Sequence, residues 1–393
     1  MKNKYSEIQN SSANIDFTTD WQFSKFSHPE RTIRLATSFS GIGAIEHSLY
    51  RLGLKSQIQF AGDIDKNCKK AYFANYNISE KQWHSDIHNM DARPFKGSVD
   101  LFVGGAPCQA FSLRGKHGGF EDTRGTLFRE FARLVIECQP KVFIFENVKG
   151  MLSHDKGKTW EIIKSTFEND CGYDVYFQVL NGKDYGIPQS RERLYCIGFK
   201  KETEFKYPAP IPLTRTVYDF LQSQFDRKYL LKQKGVNFIT RTINHQKSYT
   251  QINGDVLLCQ KRNQQFNWHG DFIFHPKLIC DVSTIKTDEY LFRLADYEET
   301  YYTDFHPELY AIRPLDCKTE QMIVADSKDI DKRFGRFRKL TPRECLRLMG
   351  FDDSFKIVCS DTETYKQAGN SIIVDVLMAL LKKMDITKYG YNG

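Results

Sequence analysis

The chain has 393 residues, 40% of them hydrophobic, and carries 56 Lys and Arg against 49 Asp and Glu for a formal net charge of +7. That length exceeds what one core usually holds and predicts two domains, and the charge has the sign of a partner for phosphate backbones. Ten cysteines without a Cys-x-x-Cys pair indicate neither a zinc site nor a disulfide framework, and no apolar run is long enough to span a bilayer, so a soluble cytoplasmic protein with free thiols, no bound metal and no membrane contact is expected.

Residues 1 to 30 are polar and weakly patterned, an arm without an assigned role. Ile33, Leu35, Thr37 and Phe39 then alternate into Ser40-Gly-Ile-Gly-Ala44, after which Ile45, Leu49 and Leu52 recur at helical spacing: strand, glycine turn, helix. Such a turn lets a ligand approach the backbone and aims helix N–H groups at it. The third glycine of the dinucleotide fingerprint is missing, because Glu46 stands there. A second strand, Gln57 to Ala61, ends at Asp63, where a doubly wound fold places a carboxylate that grips a ribose. Lys66 to Tyr76 reads as a helix, and Asp86-Ile87 closes a further short loop. Singly, each carboxylate is more often a helix cap or a solvated charge; in this order they point to an adenosine-bearing ligand.

The apolar run Val99 to Val103 reads as a buried strand, and it delivers Gly105, Pro107 and Cys108 to its carboxyl end, where open α/β sheets carry their reacting groups. Gly115, Gly118, Gly119 and Gly125, with Arg114, Lys116, His117 and Arg124 among them, read as a mobile basic loop able to close over a polyanion. A helix over Gly125 to Cys138 and a strand over Lys141 to Phe145 follow, with Glu146 at the strand's end. A glutamate that caps a buried apolar strand is not placed as a solvated charge normally is. Helix from about Thr159 to Phe167 and strand Asp174 to Leu180 lead to Gln189, Arg191 and Arg193, which alternate and on extended backbone form a comb of donors for carbonyl or phosphate oxygens. A salt-bridged strand edge is the plainer reading of the same pattern.

Prolines 208, 210 and 212 mark a boundary, and residues 207 to 336 lose the strand–helix rhythm in favour of short aromatic and β-branched runs. Residues 215 to 262 hold nine Lys or Arg against three Asp, 263 to 330 hold six against thirteen acidic, and 331 to 350 hold seven against two, an order that suits a small β or irregular domain with one face on nucleic acid. In Gln264-Gln-Phe-Asn-Trp268 aromatics are interleaved with amides; Phe266 and Trp268 read as part of this domain's small core, and the amides are open to reading base edges. Patterning resumes where Thr341, Pro342 and Glu344 spell a capped helix start, and Tyr365-Lys-Gln-Ala-Gly-Asn-Ser371 reads as another glycine turn entering a last helix with Ile372, Ile373, Val376, Leu377 and Leu380 on its apolar side.

Pro107-Cys-Gln109, Glu146-Asn-Val148, Gln189-x-Arg-x-Arg193 and Gln367-x-Gly-Asn-Ser371, in this order, closely resemble the motif blocks of the bacterial-type DNA (cytosine-5) methyltransferases. The resemblance covers Ile33 to Phe199 and Arg338 to about Lys383, and it implies an arm (1–30), a Rossmann-like α/β catalytic domain (31–206), a target-recognition domain (207–336) and a return to the catalytic domain (337–393). It implies S-adenosyl-L-methionine held by Phe39, Ser40, Gly41, Ile42, Gly43, Asp63, Ile64, Asp86, Ile87, Gly105, Pro107 and Leu127, with Asn370, Ser371 and Ile372 closing the pocket. By the same resemblance Cys108 is the nucleophile, Glu146 and Arg193 stabilise the activated ring, Gln109, Ser112 and Arg191 steady backbone and base, and the 113–125 loop closes over a flipped-out cytosine. The implied partner is double-stranded DNA bound by a monomer, with or without a companion restriction endonuclease. Arg114 departs from the usual small polar residue at its loop position. Three other readings compete: an RNA cytosine methyltransferase, of whose Cys-Phe-Thr signature only Cys317-Lys-Thr319 is an echo; an inactive DNA-binding relative; and a dehydrogenase.

Overall fold

The computed structural model describes residues 21–106, 127–239, 244, 246–247, 249–263, 268–277, 290–294, 309–312 and 332–392. Its larger sheet takes β1 (Thr32–Ser38), β2 (Lys55–Phe60), β3 (Leu101–Gly104), β4 (Val142–Val148), β5 (Asp174–Asn181) and β6 (Glu192–Phe199) in the order β2-β1-β3-β4-β6-β5. The first four are parallel, and β6 runs against both β4 and β5. Parallel neighbours need crossovers, supplied by α1 (Ala44–Arg51) between β1 and β2 and by α3 (Leu127–Cys138) before β4.

The continuous apolar runs in the sequence follow from burial on both faces. Leu101, Val103, Val142 and Ile144 join one core with Ile45 and Leu49 of α1, while Phe102, Phe143 and Phe145 join the other with Phe128, Phe131 and Val135 of α3. Helix α4 (Lys158–Ser165) adds Trp160 and Ile163 to the second core. Strand order reverses at β1, which has β2 on one side and β3 on the other, so a crevice opens beyond the carboxyl ends of β1 and β3.

The end of the chain returns to this sheet. Helix α8 (Val374–Lys383) lays Val376, Leu377 and Leu380 against α1, Arg51 pairs with Asp375 at 2.7 Å, and Tyr391 bridges Thr32 on β1. Of the expected arm, Trp21 is buried in the same core and Ser27 bonds Asp385.

The middle of the chain builds a second unit from α5 (Gln233–Ile239), β7 (Thr250–Ile252), β8 (Gly270–Lys277), β9 (Tyr290–Leu294), β10 (Leu309–Ile312) and β11 (Lys332–Lys339), in the sheet order β10-β9-β11-β8-β7. Leu231, Val236, Ile252, Phe272, Phe274 and Phe337 form its small core. The expected junction at 336/337 falls inside β11. That strand's Arg338 is fully buried against Glu344 at 2.7 Å, with its guanidinium over Phe225, and Glu344 also completes the predicted capping box of α6 (Pro342–Arg347). The pair therefore ties the second sheet to the returning chain, and removing either partner would strand a buried charge. Among the described residues no helix is long and apolar enough to cross a membrane.

Candidate active site

A cleft of about 920 Å³ occupies the crevice. Its first wall is the glycine turn. Phe39, Gly41 and Gly43 all have positive φ, of 53°, 54° and 81°, which is inexpensive for glycine and strained for Phe39. A Cβ on Gly43 would lie 2.2 Å from the Tyr76 ring, whose hydroxyl donates to the Gly43 carbonyl at 2.7 Å, so glycine here permits helix–turn packing. Asp63 Oδ2 accepts the Gly41 N–H at 2.9 Å and Oδ1 accepts the Asp65 N–H at 2.9 Å, while burial raises its carboxyl above the ordinary value. Ile64 beside it is 84% exposed, an aliphatic face left bare at the rim. Asp86 caps its turn and is held below the usual range by the side chain of His88, and Arg133 on α3 props that turn through the Ile87 and Met90 carbonyls at 2.8 Å each.

The opposite wall is the end of β4 with β6. Glu146 lies 3.3 Å from Arg193 Nε; burial raises its carboxyl above the ordinary value, against the pull of Arg193 and Arg191. A Cβ on Gly105 would come within 3.0 Å of Glu146 Oε2 and one on Gly104 within 2.7 Å of the Ser38 carbonyl, so both glycines are there for close approach. Buried Asn147 donates to the Ala106 carbonyl at 2.9 Å, fixing the backbone immediately before Pro107.

The comb of donors comes apart in three dimensions. Gln189 is fully buried, donating to the Leu348 carbonyl at 2.7 Å and accepting from the Gln260 N–H at 3.0 Å. Arg191 is 4% exposed and spends its terminal nitrogens on the carbonyls of Gln260, Gly369 and Ser371 at 2.7, 3.1 and 2.8 Å; desolvation lowers its pKa. Only Arg193 stands beside the carboxylate. The expected glycine turn at 365–371 is likewise the end of α7 (Asp361–Asn370), and Gly369 serves packing, since a Cβ there would lie 2.4 to 2.6 Å from the Lys261 and Arg262 backbone. Its φ is not in the left-handed range, which is why pattern alone misread it as a turn.

Phe39, Gly41, Asp63 and Ile64 line the cleft together with Asp86, Ile87, Gly105 and Leu127, and so do Glu146, Arg191, Arg193, Asn370 and Ser371. Ser40, Ile42 and Ile372 line a small adjoining cavity, and Gly43 lies behind the turn. Pro107, Cys108, Gln109, Ser112, the 113–125 loop, Gln264 to Asn267 and Cys317 to Thr319 fall outside the described residues.

A model of the C-5 cytosine-specific DNA methylases matches residues 33–385. The chain belongs to that family. This methylase is 34% identical to the type II methyltransferase M.SsoII of Shigella sonnei over 89% of its own length and 79% of the relative's. It is 33% identical to M.HhaI of Haemophilus parahaemolyticus over 88% and 92%. Its likeness to the Dnmt2 methyltransferase of S. pombe, 19% identical with a TM-score of 0.60 over 89% and 97%, is one of fold.

Several contributors to the methylase's cleft are not named by the sequence pattern, among them four that act from other elements. Arg262 and Asn263 reach its lining from the middle unit, Cys259 packs against Arg191 and Arg193 at 3.5 and 3.8 Å, and Arg133 stabilises the Asp86 turn from behind. Only Arg133 had a local signal, Glu130 and Glu137 at helical ion-pair spacing on either side of it.

Proposed function

We propose that this DNA cytosine-5 methyltransferase uses Cys108 as a covalent nucleophile and S-adenosyl-L-methionine as methyl donor, acting on a cytosine flipped out of duplex DNA. The observation that carries the reading is Glu146 beside Arg193 in the same cleft as the Gly41–Asp63 wall. The residues fit the donor: a cleft of about 920 Å³, a carboxylate placed for a ribose, bare Ile64 for a purine face and closely approachable backbone at the glycine turn. When bound there, it supplies an electrophilic methyl group.

Carbon 5 of cytosine is a weak nucleophile. Addition of the Cys108 thiolate to carbon 6 moves electron density toward carbon 5, nitrogen 3 and oxygen 2, which makes carbon 5 able to take a methyl group. Glu146, whose carboxyl burial shifts toward the protonated form, gives a hydrogen bond to nitrogen 3 when protonated, and Arg193 balances the charge on the oxygen. Loss of the carbon-5 proton to water or another base returns the electron pair that breaks the carbon–sulfur bond and restores the thiolate. Arg191, Gln189 and Gln260 brace the wall beside the ring through backbone carbonyls and N–H groups, which supports the steadying role read for Arg191. The middle unit is read as the target-recognition domain, and the protein as a monomer on DNA, either paired with a restriction endonuclease or solitary. Type II relatives and the orphan methyltransferase M.SPRI of Bacillus phage SPR both match the chain.

Duplexes carrying 5-fluorocytosine test the covalent route. Because fluorine cannot leave as a proton does, the protein should become trapped on its target in the presence of methyl donor, and Cys108→Ser should not. Methylation by the wild type without trapping would overturn the nucleophile.

A further inference from the structure

Glu46 occupies the position where a dinucleotide turn carries its third glycine, and it is only 4% exposed. Its Oε1 accepts from the Tyr72 hydroxyl and from Thr37 Oγ1 at 3.2 Å, while Oε2 has no partner among the described residues. Thr37 Oγ1 lies 2.7 Å from Ser40 Oγ, which is 3.0 Å from the Gly62 carbonyl and accepts the Gly62 N–H at 2.9 Å. Thr37, Gly41, Gly62 and Asp63 line the cleft.

A count of protons along this chain gives two arrangements. With Glu46 ionised, Thr37 donates to it, Ser40 Oγ donates to Thr37, and the Gly62 carbonyl, which accepts the Ser40 N–H at 2.9 Å in either case, keeps its second lone pair free. With Glu46 protonated, its own proton goes to Thr37, Thr37 donates to Ser40, and Ser40 donates to Gly62. Each hydroxyl has one proton, so the two arrangements cannot coexist. We infer that Glu46 is a positioning residue whose ionisation, relayed through Thr37 and Ser40, presents the Gly62 carbonyl to the methyl donor and so makes donor binding proton-linked.

The donor's ammonium, ribose hydroxyls and adenine amino group are all hydrogen-bond donors suited to that carbonyl, and its net positive charge favours the ionised carboxylate. Burial, which outweighs the bonds from Tyr72 and Thr37, lifts the Glu46 carboxyl to about 7, so both arrangements are populated near neutrality. The groups facing Glu46 cannot substitute for it in this range. Tyr72 in the helix Lys66–Asn75 and Tyr76 just after it are held neutral by burial, β1 offers Thr37 only, and His47, next on α1, is driven down to about 4 by desolvation.

The inference rests on the donor reading above, and one titration separates the two. Donor affinity of the whole protein is measured by calorimetry from pH 6 to pH 8.5, together with urea stability of the unliganded protein. If only the ionised form binds well, affinity at pH 6 should be about tenfold weaker than at pH 8. Glu46→Gln, whose amide donates to Thr37 at every pH, should flatten the dependence. In the unliganded protein the raised carboxyl favours folding when protonated, so stability should fall as pH rises from the ordinary carboxylate range through about 7, and Glu46→Gln should lose that slope. Thr37→Val should keep the stability slope while losing the affinity slope. A full affinity slope in either variant overturns the relay, as does a flat wild type that binds donor well. No donor binding at any pH would instead refute the donor reading.

Discussion

On one wall of the cleft, Phe39 to Gly43 and Asp63 hold one another through backbone N–H groups, left-handed glycines and one capping carboxylate, all from two consecutive strand ends. On the other, Glu146, Arg191 and Arg193 are held by a strand before α4, a second running against it, a loop of the middle unit and the join between α7 and α8. The first wall is local and survives as a sequence pattern. The second exists only when segments some 180 residues apart in the chain meet, as the Arg191–Ser371 bond shows. Within that wall, two arginines on neighbouring teeth of one pattern do different work, because one meets carbonyls and the other a carboxylate.

The sharpest break between the walls is chemical. Cys108→Ser should lower methylation by at least about 10⁴-fold, by the scale of nucleophile removals, while donor calorimetry and duplex binding stay near wild type. Glu146→Gln keeps the shape of the second wall but not its proton, and single-turnover rates should fall roughly 10²-fold. Burial raises the Glu146 carboxyl, and the proposed mechanism uses its protonated form, so the wild-type rate should decline as pH rises through that raised value, a limb that Glu146→Gln should lack.

The two arginines can be told apart next. Arg191→Ala leaves three buried carbonyls without a donor and should cost about 3 kcal/mol in urea unfolding. Arg193→Ala should cost less stability than Arg191→Ala, because the Glu146 carboxyl, already raised by burial, can take up a proton once the guanidinium is gone, and should strike the rate of methyl transfer instead. Equal losses of stability in both would erase the distinction drawn here. Gly369→Ala drives a methyl into the Lys261–Arg262 backbone, so about 1 to 3 kcal/mol of destabilisation and weaker DNA binding with unchanged donor affinity are expected. The smallest effect should come from Arg227 and Lys228 in the basic stretch: Lys228 is ion-paired with Asp361 at 2.7 Å, and replacing both residues should lower the salt slope of DNA affinity by no more than about 2.

Much of the fold was readable because each strand of the larger sheet is buried on both faces and announces itself as an apolar run, as Val142 to Phe145 does. The glycine turn, Asp63 and Glu146 stood at strand ends for the same reason. Gly369 was misread because glycine marks both turns and close packing, and only the neighbouring backbone at 261–262 tells which. Arg262, Asn263 and Cys259 had no signal at all: a loop that pairs Leu257 with Gln189 carries them to the cleft, and nothing in its composition says so.

By itself the sequence carried the family's motif blocks and the strand-by-strand order of the catalytic half, because hydrophobic period and turn residues act over a few neighbours. Which donors meet a carboxylate in the cleft and which meet carbonyls in its wall was decided only in the folded chain. A guanidinium's task depends on the oxygen it meets, and for Arg191 those oxygens come from the far end of the sequence and from the middle unit.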